Sequence, residues 1–266
     1  MDLTTVRDVR ELRGRDDVGL ADGETWLAGG TWLFSEPQDH VRTLVDVTAA
    51  GWTPVTRHDG GLSIAATCTI AELVAHAATA ADPALRLVRP CAEALVMSEK
   101  IWSLATVGGN VCLALPAGAM TSWAVALDAE VLIWAPGGGE RTEPVASFVR
   151  GVRRTGLRAG EVVRSVEVGA VALAGRTACR RMGLTAMGRS SAVVTARLDP
   201  GGACTLAVTA ATERPHVWRF ARPPGAAALA AALAEVDRWY DDPHGAPDWR
   251  RHVTAVLARE VVEELT

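Results

Sequence analysis

The sequence contains two short segments in which a threonine lies beside a Gly-Gly pair, and these segments constrain the fold more than any other feature. They are Leu27-Ala28-Gly29-Gly30-Thr31-Trp32-Leu33 and Thr106-Val107-Gly108-Gly109-Asn110. Glycine lacks the Cβ atom that would hold a ligand away, so turns at such pairs can bring bare backbone N–H groups against an anionic or planar group. Two such turns in separate parts of the chain predict one extended ligand held between them.

The composition is that of a folded protein with no general attraction to polyanions. Of the 266 residues, 49% are hydrophobic and 22% are charged, and the formal net charge is -4. Binding of nucleic acid or anionic lipid would need a local basic patch. No apolar run approaches the roughly 20 residues that span a bilayer, and Asp2, Arg7 and Asp8 stand where a signal peptide needs an apolar core. We therefore expect a cytoplasmic protein without a membrane or nucleic-acid partner.

The metal-ligating residue types show no ligand spacing. The five cysteines are far apart, without a C-x-x-C pair, and the six histidines are isolated. This pattern argues against an iron–sulfur or zinc site built from this chain alone, and the odd cysteine count argues against a complete disulfide framework. Buried free thiols are the simpler interpretation, with Cys112 close to any ligand bound at Asn110. We predict no metal site and no catalytic His-Asp or Cys-His arrangement.

The first part of the chain predicts a small α/β unit followed by a larger α+β unit. Residues 1–24 are polar and predict a short helix or an irregular lead-in. Thr25–Ala28 and Thr43–Val47 predict strands on either side of the first glycine segment. The sequence Thr69-Ile70-Ala71-Glu72 has the spacing of a capping box and predicts the start of a helix. Thr121–Leu127 is apolar enough for a core helix.

The pattern changes after the small-residue stretch Gly169–Gly175, which predicts a domain boundary. Strand-like segments with a strong hairpin turn follow, and then two helices. The predicted strands are Arg176–Gly183, Ser190–Leu198 and Ala203–Thr212, the turn is Asp199–Gly202, and the helices are Ala226–Tyr240 and Trp249–Leu265. Together they predict a three-stranded antiparallel sheet covered by two helices.

The sequence therefore predicts an α+β fold in two domains. Residues 1–170 form a two-part ligand-binding region, with a small α/β subdomain at about 1–52 and a larger α+β subdomain at 53–170. Residues 171–266 form the C-terminal α+β domain with the three-stranded antiparallel sheet.

The two glycine segments, their order, the sequence Ala66–Leu73 between them and the α+β tail resemble the FAD-binding medium subunit of molybdenum hydroxylases. This family includes xanthine dehydrogenase and carbon monoxide dehydrogenase, and the resemblance extends from about Trp26 to the C-terminus. One Gly-Gly-Thr sequence alone is unspecific, and Gly108-Gly109 alone is compatible with a simple tight turn. Several separated motifs in the right order are specific. The resemblance implies that residues 1–170 form an FAD-binding region.

The resemblance also implies roles for the two segments. Leu27 to Leu33 match the first FAD loop of the family, whose N–H groups and hydroxyl hold the diphosphate. Thr106 to Asn110 match the second loop, which contacts the diphosphate and the flavin side of the cofactor.

Two weaker correspondences rest on spacing within the same resemblance. Val163, or its neighbour Val162, corresponds to an apolar contact with the flavin or adenine. Arg181, or its neighbour Arg180, corresponds to a basic residue near the cofactor that is usually lysine. For the two arginines, an exposed strand edge is an equal alternative.

The function implied by the resemblance is electron transfer with FAD as the cofactor. Electrons would pass from a molybdopterin large subunit through iron–sulfur clusters of a small subunit to FAD, and then to NAD or another acceptor. The protein itself would position the flavin, exclude water and tune its potential. Two alternatives stay open: a stand-alone FAD-dependent oxidase or dehydrogenase acting on a small molecule, and a cofactor-free assembly module.

Two positions depart from the family's pattern. The family commonly has an acidic residue after the first Gly-Gly-Thr, where this chain has Trp32. It often has Ser-Pro-Ala-Ala-Asp after the second segment, where this chain has Leu115-Pro116-Ala117-Gly118-Ala119. The missing aspartate removes a hydrogen-bond acceptor for cofactor hydroxyl groups. Trp32 is the tryptophan for which contact with the flavin is an alternative to packing in the core.

Overall fold

A parallel three-stranded sheet forms the first unit of the fold. The structure is a computed structural model that describes residues 3–266, so Met1 and Asp2 of the predicted first domain lie outside the described residues. The strands are β1 (Asp8–Glu11), β2 (Glu24–Leu27) and β3 (Thr43–Asp46). Strand β3 lies in the middle and runs parallel to both neighbours.

Strand β1 corrects the prediction of a helix or an irregular lead-in over residues 1–24. Most of its residues are exposed, so its sequence lacks the apolar alternation from which a strand is predicted. The strand forms because β3 supplies the backbone partners, and because the Arg10 guanidinium donates to the Glu24 carboxylate of β2, with Nη2 2.7 Å from Oε2. Such a strand depends on distant pairing and not on its local pattern.

The second unit is built around an antiparallel sheet. Its strands are β4 (Val55–His58), β5 (Gly61–Ala65), β6 (Glu130–Trp134), β7 (Glu140–Pro144), β8 (Val149–Gly151), β9 (Arg154–Thr155) and β10 (Val162–Val168). Five of them form one sheet in the order β4-β5-β10-β6-β7, and β8 pairs with β9 in a short hairpin.

Short helices pack with this sheet in one apolar core. They are α1 (Ile70–Thr79), α2 (Val88–Ala94), α3 (Glu99–Trp102), α4 (Val107–Leu113), α5 (Ala119–Ala126), α6 (Val145–Phe148) and α7 (Ala170–Leu173). The predicted capping box begins α1: the Thr69 hydroxyl accepts from the Glu72 N–H at 3.2 Å, and the Glu72 carboxylate accepts from the Thr69 N–H at 2.8 Å. Every residue of α5 is buried, which confirms the predicted core helix.

The C-terminal unit is an antiparallel sheet covered by helices. Its strands are β11 (Arg176–Gly183), β12 (Ser190–Leu198), β13 (Cys204–Thr209) and β14 (His216–Phe220), which pair in that order. The helices are α8 (Ala226–Ala234) and α9 (Pro247–Leu265), and both contribute to the apolar core of this unit. The α+β fold class is thus confirmed.

Two details of this unit differ from the prediction. The sheet has a fourth strand, β14, which the sequence pattern hid because it is only five residues long and its apolar residues do not alternate. Helix α8 ends at Ala234 and not at Tyr240. The chain beyond it turns back to the sheet, where Trp239 pairs with Thr212 and the Tyr240 N–H donates to the Ala211 carbonyl at 2.8 Å.

Polar contacts join the C-terminal unit to the second unit. The Ser122 and Thr209 hydroxyls are 2.6 Å apart in a buried position. The buried Arg197 guanidinium donates to the Ala126 carbonyl at 2.7 Å and to the Asp128 carboxylate at 2.8 Å. The division of the chain after residue 170 remains a proposal. Among residues 3–266, no helix combines the length and the apolar composition that a membrane span requires.

Candidate functional site

The two glycine segments meet at the wall of a cavity of about 530 Å³. Most of the predicted site residues line it, from both segments and from β10: Ala28, Gly29, Gly30, Thr31, Trp32, Leu33, Thr106, Gly108, Gly109, Asn110 and Val163. Val162, the alternative to Val163, lines it as well. A cavity of this volume is within the range of small-molecule and cofactor sites.

The first glycine segment begins where strand β2 ends at Leu27. It then passes so close to the chain before the second segment that a Cβ atom on Gly29 would lie 1.8 Å from the Leu104 carbonyl oxygen. Gly30 adopts a left-handed conformation with φ +68°. The absence of a side chain at Gly29 therefore lets the first segment touch the chain just before the second segment, whereas Gly30 leaves room for the Phe34 ring of its own loop.

The first segment presents unpaired backbone donors. Among residues 3–266, the N–H groups of Gly29, Gly30, Thr31 and Trp32 have no hydrogen-bond acceptor, and these residues line the cavity. Successive free N–H groups in a turn form a concave site that attracts anions. These N–H groups are therefore available to a ligand in the cavity, and their anion-binding role remains a prediction.

The second glycine pair is the first turn of a helix and not a turn before one. Thr106 is the N-cap of α4, and its hydroxyl accepts from the Gly109 N–H at 3.0 Å. The Gly108 N–H donates to the Ala66 carbonyl at 3.0 Å. Both glycine N–H groups thus have partners within the protein, so the prediction that this pair presents bare N–H groups is wrong.

The two glycines of this pair face different surroundings. A Cβ atom on Gly108 would lie 2.4 Å from the Ala66 Cβ and 2.7 Å from its Cα, so Gly108 lets α4 pack against the end of β5. A Cβ atom on Gly109 would meet only the Thr106 hydroxyl, at 2.8 Å, and then the Ala28 Cβ at 3.8 Å. Gly108 serves the packing of the helix, whereas Gly109 borders the cavity.

Asn110 supplies a side-chain donor in the same wall. Its Oδ1 accepts from the Met120 N–H at 2.9 Å, which fixes the amide at the start of α5. No acceptor among residues 3–266 is paired with its Nδ2. The amide group can therefore donate to a ligand while its oxygen stays occupied.

An apolar wall that the sequence did not reveal completes the cavity. It includes Leu95 and Met97 from the connection between α2 and α3 and Ile101 from α3, together with Leu113, Leu115 and Leu157. Thr25, Trp26, Val47, Ala66 and Ala105 add further lining. These residues lie in segments whose apolar character also suits an ordinary core, so no motif distinguishes them.

Cys112 lines the cavity, as its proximity to Asn110 suggested. Burial raises the pKa of its thiol to about 12. The thiol stays protonated at neutral pH, because desolvation disfavours the thiolate. Cys112 therefore contributes a small apolar surface and not a nucleophile.

Glu161, the residue just before Val162 and Val163, connects the first two sheets beside the cavity. The Trp26 indole N–H of β2 donates to the Glu161 carbonyl at 2.9 Å. The Glu161 carboxylate accepts from Arg141, with Nη2 2.7 Å from Oε2, and this contact lowers the pKa of Glu161. The ion pair fixes the start of β10, and hence the positions of Val162 and Val163.

Three predicted site residues do not line the cavity. Leu27 ends β2, and Val107 is fully buried in the core. The Arg181 guanidinium donates to the Gly188 carbonyl and to the Ser190 hydroxyl, both at 3.3 Å, and so stabilises the loop between β11 and β12. Arg180, the alternative position, pairs with Glu264 of α9 at 2.6 Å. For the two arginines the structure therefore favours the alternative of a strand-edge role.

A second cavity, of about 420 Å³, adjoins the first. Both are lined by Ala28, Gly29 and Thr106, so they lie on either side of the contact between the two segments. The polar lining of the second cavity consists of the Glu72 carboxylate and of hydroxyl groups, those of Thr48, Thr67, Thr69, Ser103 and Thr106. An elongated ligand that follows the two segments would have room at both ends.

The chemistry of the first cavity is that of a binding site. No side chain among the described residues that line it carries a charge. No group of histidine, cysteine and acidic side chains suited to a metal ion occurs within residues 3–266. The fold and the cavity together define the class: an α+β protein with a neutral cavity suited to an extended, partly planar cofactor.

The family follows from the sequence. A family model described as the FAD binding domain in molybdopterin dehydrogenase matches residues 6–170. The chain belongs to this family, FAD is its cofactor, and the resemblance found from the glycine segments is confirmed. No curated protein sequence matches this chain.

Solved structures of low sequence identity share the fold along the whole chain. A chain of carbon monoxide dehydrogenase from Hydrogenophaga pseudoflava, in a form that lacks the Mo-pyranopterin moiety, superposes with a TM-score of 0.83 at 18% identity, covering 98% of this chain and 97% of the other. A chain of quinoline 2-oxidoreductase from Pseudomonas putida 86 gives 0.79 at 21% identity, covering 100% and 98%. Reconstituted CO dehydrogenase from Oligotropha carboxidovorans gives 0.80 at 18% identity, covering 97% and 96%.

The residues present fit FAD. The free N–H groups of the first segment suit the two phosphates, and the apolar wall suits a planar ring system. One further observation points to a missing hydrogen-bond acceptor: the Trp32 indole Nε1 is buried and has no partner among the described residues, although Trp32 lines the cavity.

Proposed function

We propose that this chain is the FAD-carrying electron-transfer subunit of a molybdenum-containing dehydrogenase or hydroxylase of the xanthine dehydrogenase family. Its partners would be a small subunit with iron–sulfur clusters and a large subunit with molybdopterin, and electrons would leave the flavin to NAD or another acceptor. The observation that carries the proposal is the convergence of two glycine segments, far apart in the sequence, on one neutral cavity in a chain of this family.

Bound FAD supplies the redox chemistry, and this chain's residues supply its binding and orientation. The N–H groups from Gly29 to Trp32 would bind the phosphates without a charged side chain. The Asn110 amide would donate a further hydrogen bond. Val162, Val163 and the apolar wall would exclude water from the planar ring. Gly109 would leave room for the cofactor beside α4.

The binding assignment is tested by titrating FAD into the flavin-free full chain, both the wild type and a variant at Gly109. Gly109→Leu should fold normally but bind FAD about hundredfold more weakly, because the new side chain enters the cavity. Gly201→Leu is the matched control: Gly201 is exposed in the hairpin turn and a Cβ there meets no atom within 4 Å. Stoichiometric FAD on folded Gly109→Leu would refute the site assignment.

The assembly assignment is tested on the native complex. Purification of the chain from its source should yield partner chains that contain iron–sulfur clusters and molybdopterin, and NADH should bleach the flavin absorbance if NAD is the acceptor. Turnover of a small molecule by the isolated chain, without partners, would instead favour a stand-alone flavin enzyme. A folded, colourless chain that does not take up FAD would overturn both assignments.

A further inference from the structure

Trp32 has a buried polar group that the protein itself does not satisfy. Among the described residues, the indole N–H groups of Trp32, Trp102 and Trp123 are buried and have no hydrogen-bond partner. Of these three tryptophans, only Trp32 lines the cavity. A buried donor without a partner is unfavourable, and a ligand oxygen that accepts from it removes that cost. Because the nitrogen is also shielded from solvent, water does not replace this missing partner.

Arg153 lies against the same tryptophan. Its guanidinium carbon is 5.4 Å from the centre of the Trp32 ring, a distance typical of a cation–π contact. The Arg153 backbone is left-handed, with φ +56°, and its N–H donates to the Ala114 carbonyl at 2.9 Å just after α4. Within residues 3–266 the Arg153 guanidinium has no carboxylate partner. The Arg153 side chain is exposed, so its guanidinium contacts the indole ring from the protein surface.

The charge of Arg153 is significant because the cavity lining is neutral. The lining residues within the described chain include no lysine, arginine or histidine. Its neighbour Arg150 is already paired with Glu143, at 3.2 Å. Arg153 thus adds an uncompensated positive charge directly behind a residue of the loop whose N–H groups face the cavity.

We propose that Trp32 contacts the cofactor and donates its indole N–H to an oxygen of the FAD diphosphate, while Arg153 is a positioning residue that packs against the indole ring. This inference rests on the proposed function. Because the indole nitrogen is buried, this donation requires the ring to rotate toward the cavity while it keeps its contact with the Arg153 guanidinium. The pair thus supplies donors where an acidic side chain at position 32 would supply an acceptor.

The first test is Trp32→Phe, which keeps an aromatic ring for Arg153 and removes only the N–H group and part of the ring. The dissociation constant of FAD should rise about tenfold, the size of one hydrogen bond to a charged group. The melting temperature of the flavin-free chain should stay the same or rise, because an unsatisfied donor has been removed. A residue with a purely structural role would instead lower the melting temperature and leave the affinity unchanged.

The second test substitutes Arg153, whose exposed side chain can be replaced without loss of the fold. Arg153→Asn, which tolerates a left-handed backbone, should weaken FAD binding about threefold. Arg153→Lys should restore most of it, because lysine also makes cation–π contacts. ADP, a probe with the diphosphate but no flavin, should lose affinity for Trp32→Phe by the same factor as FAD. An effect on FAD alone would overturn the assignment to the diphosphate.

The matched control is Trp123→Phe, which removes a buried, unpaired indole N–H away from the cavity and should leave FAD affinity unchanged. Wild-type chain that binds FAD, combined with unchanged affinity in both Trp32→Phe and Arg153→Asn, would refute the Trp32 inference alone. Wild-type chain that binds no FAD would refute the proposed function first.

Discussion

The two glycine segments have similar sequences but different structures. Gly29-Gly30 lies in a loop after a parallel strand, and the backbone N–H groups there lack partners among the described residues. Gly108-Gly109 begins helix α4, and both N–H groups are hydrogen-bonded, to the Ala66 carbonyl and to the Thr106 hydroxyl. The first segment provides donors for an anion, whereas the second provides space and a fixed wall.

The difference shows that a Gly-Gly pair has no single structural meaning. A side chain at position 29 would overlap with the Leu104 carbonyl, and a side chain at position 108 would overlap with Ala66. Both close contacts hold the glycine segments against neighbouring backbone, so both positions matter for folding. The missing side chain of Gly109, in contrast, leaves space mainly at the cavity. Substitutions at these positions therefore separate folding from cofactor binding.

The largest effect is expected for Gly29→Ala. The new Cβ would lie 1.8 Å from the Leu104 carbonyl oxygen, which belongs to the backbone and cannot move aside without shifting the second segment. The free energy of unfolding should fall by about 3 kcal/mol or more. Urea unfolding followed by circular dichroism measures the change. A stability equal to that of the wild type would show that the two segments do not touch.

A smaller but still clear effect is expected for Gly108→Ala. Its Cβ would overlap with Ala66, so α4 must shift on the sheet, at a cost of about 2 kcal/mol. The neighbouring substitution Gly109→Ala is the internal control. Its Cβ displaces the Thr106 hydroxyl that caps α4, but the higher helix propensity of alanine offsets this loss, so the unfolding free energy should change by less than about 0.5 kcal/mol. Equal destabilisation by the two alanines would remove the distinction between a packing glycine and a cavity glycine.

The smallest effect is expected for Thr106→Ala, which removes the N-cap of α4. The loss of the hydroxyl that accepts from the Gly109 N–H should cost about 1 kcal/mol. It also frees this N–H toward the cavity wall. Thr106→Ser keeps the cap and should retain wild-type stability in the same chemical unfolding measurement. If Thr106→Ala and Thr106→Ser are equally stable, the hydroxyl does not cap the helix.

Local signals in the sequence predicted several elements correctly. The capping box at Thr69 begins α1 as expected, because both of its hydrogen bonds form within four residues. The hairpin turn at Asp199–Gly202 connects β12 and β13, since its residues favour a turn whatever surrounds them. Among the elements that were missed, β1 and β14 are short strands whose hydrogen-bond partners lie elsewhere in the chain. Such pairing leaves little trace in local periodicity.

The sequence by itself determined the α+β class, the family and the two glycine segments that border the cavity, because motif order and turn chemistry are local properties of the chain. Only the tertiary structure decided which glycine N–H groups are free, since their partners at Ala66 and Thr106 depend on how α4 packs on β5. The apolar wall around Leu95 and Met97 and the contact of Arg153 with Trp32 were likewise decided in three dimensions. They join segments that are distant in the sequence, and no local pattern encodes such proximity.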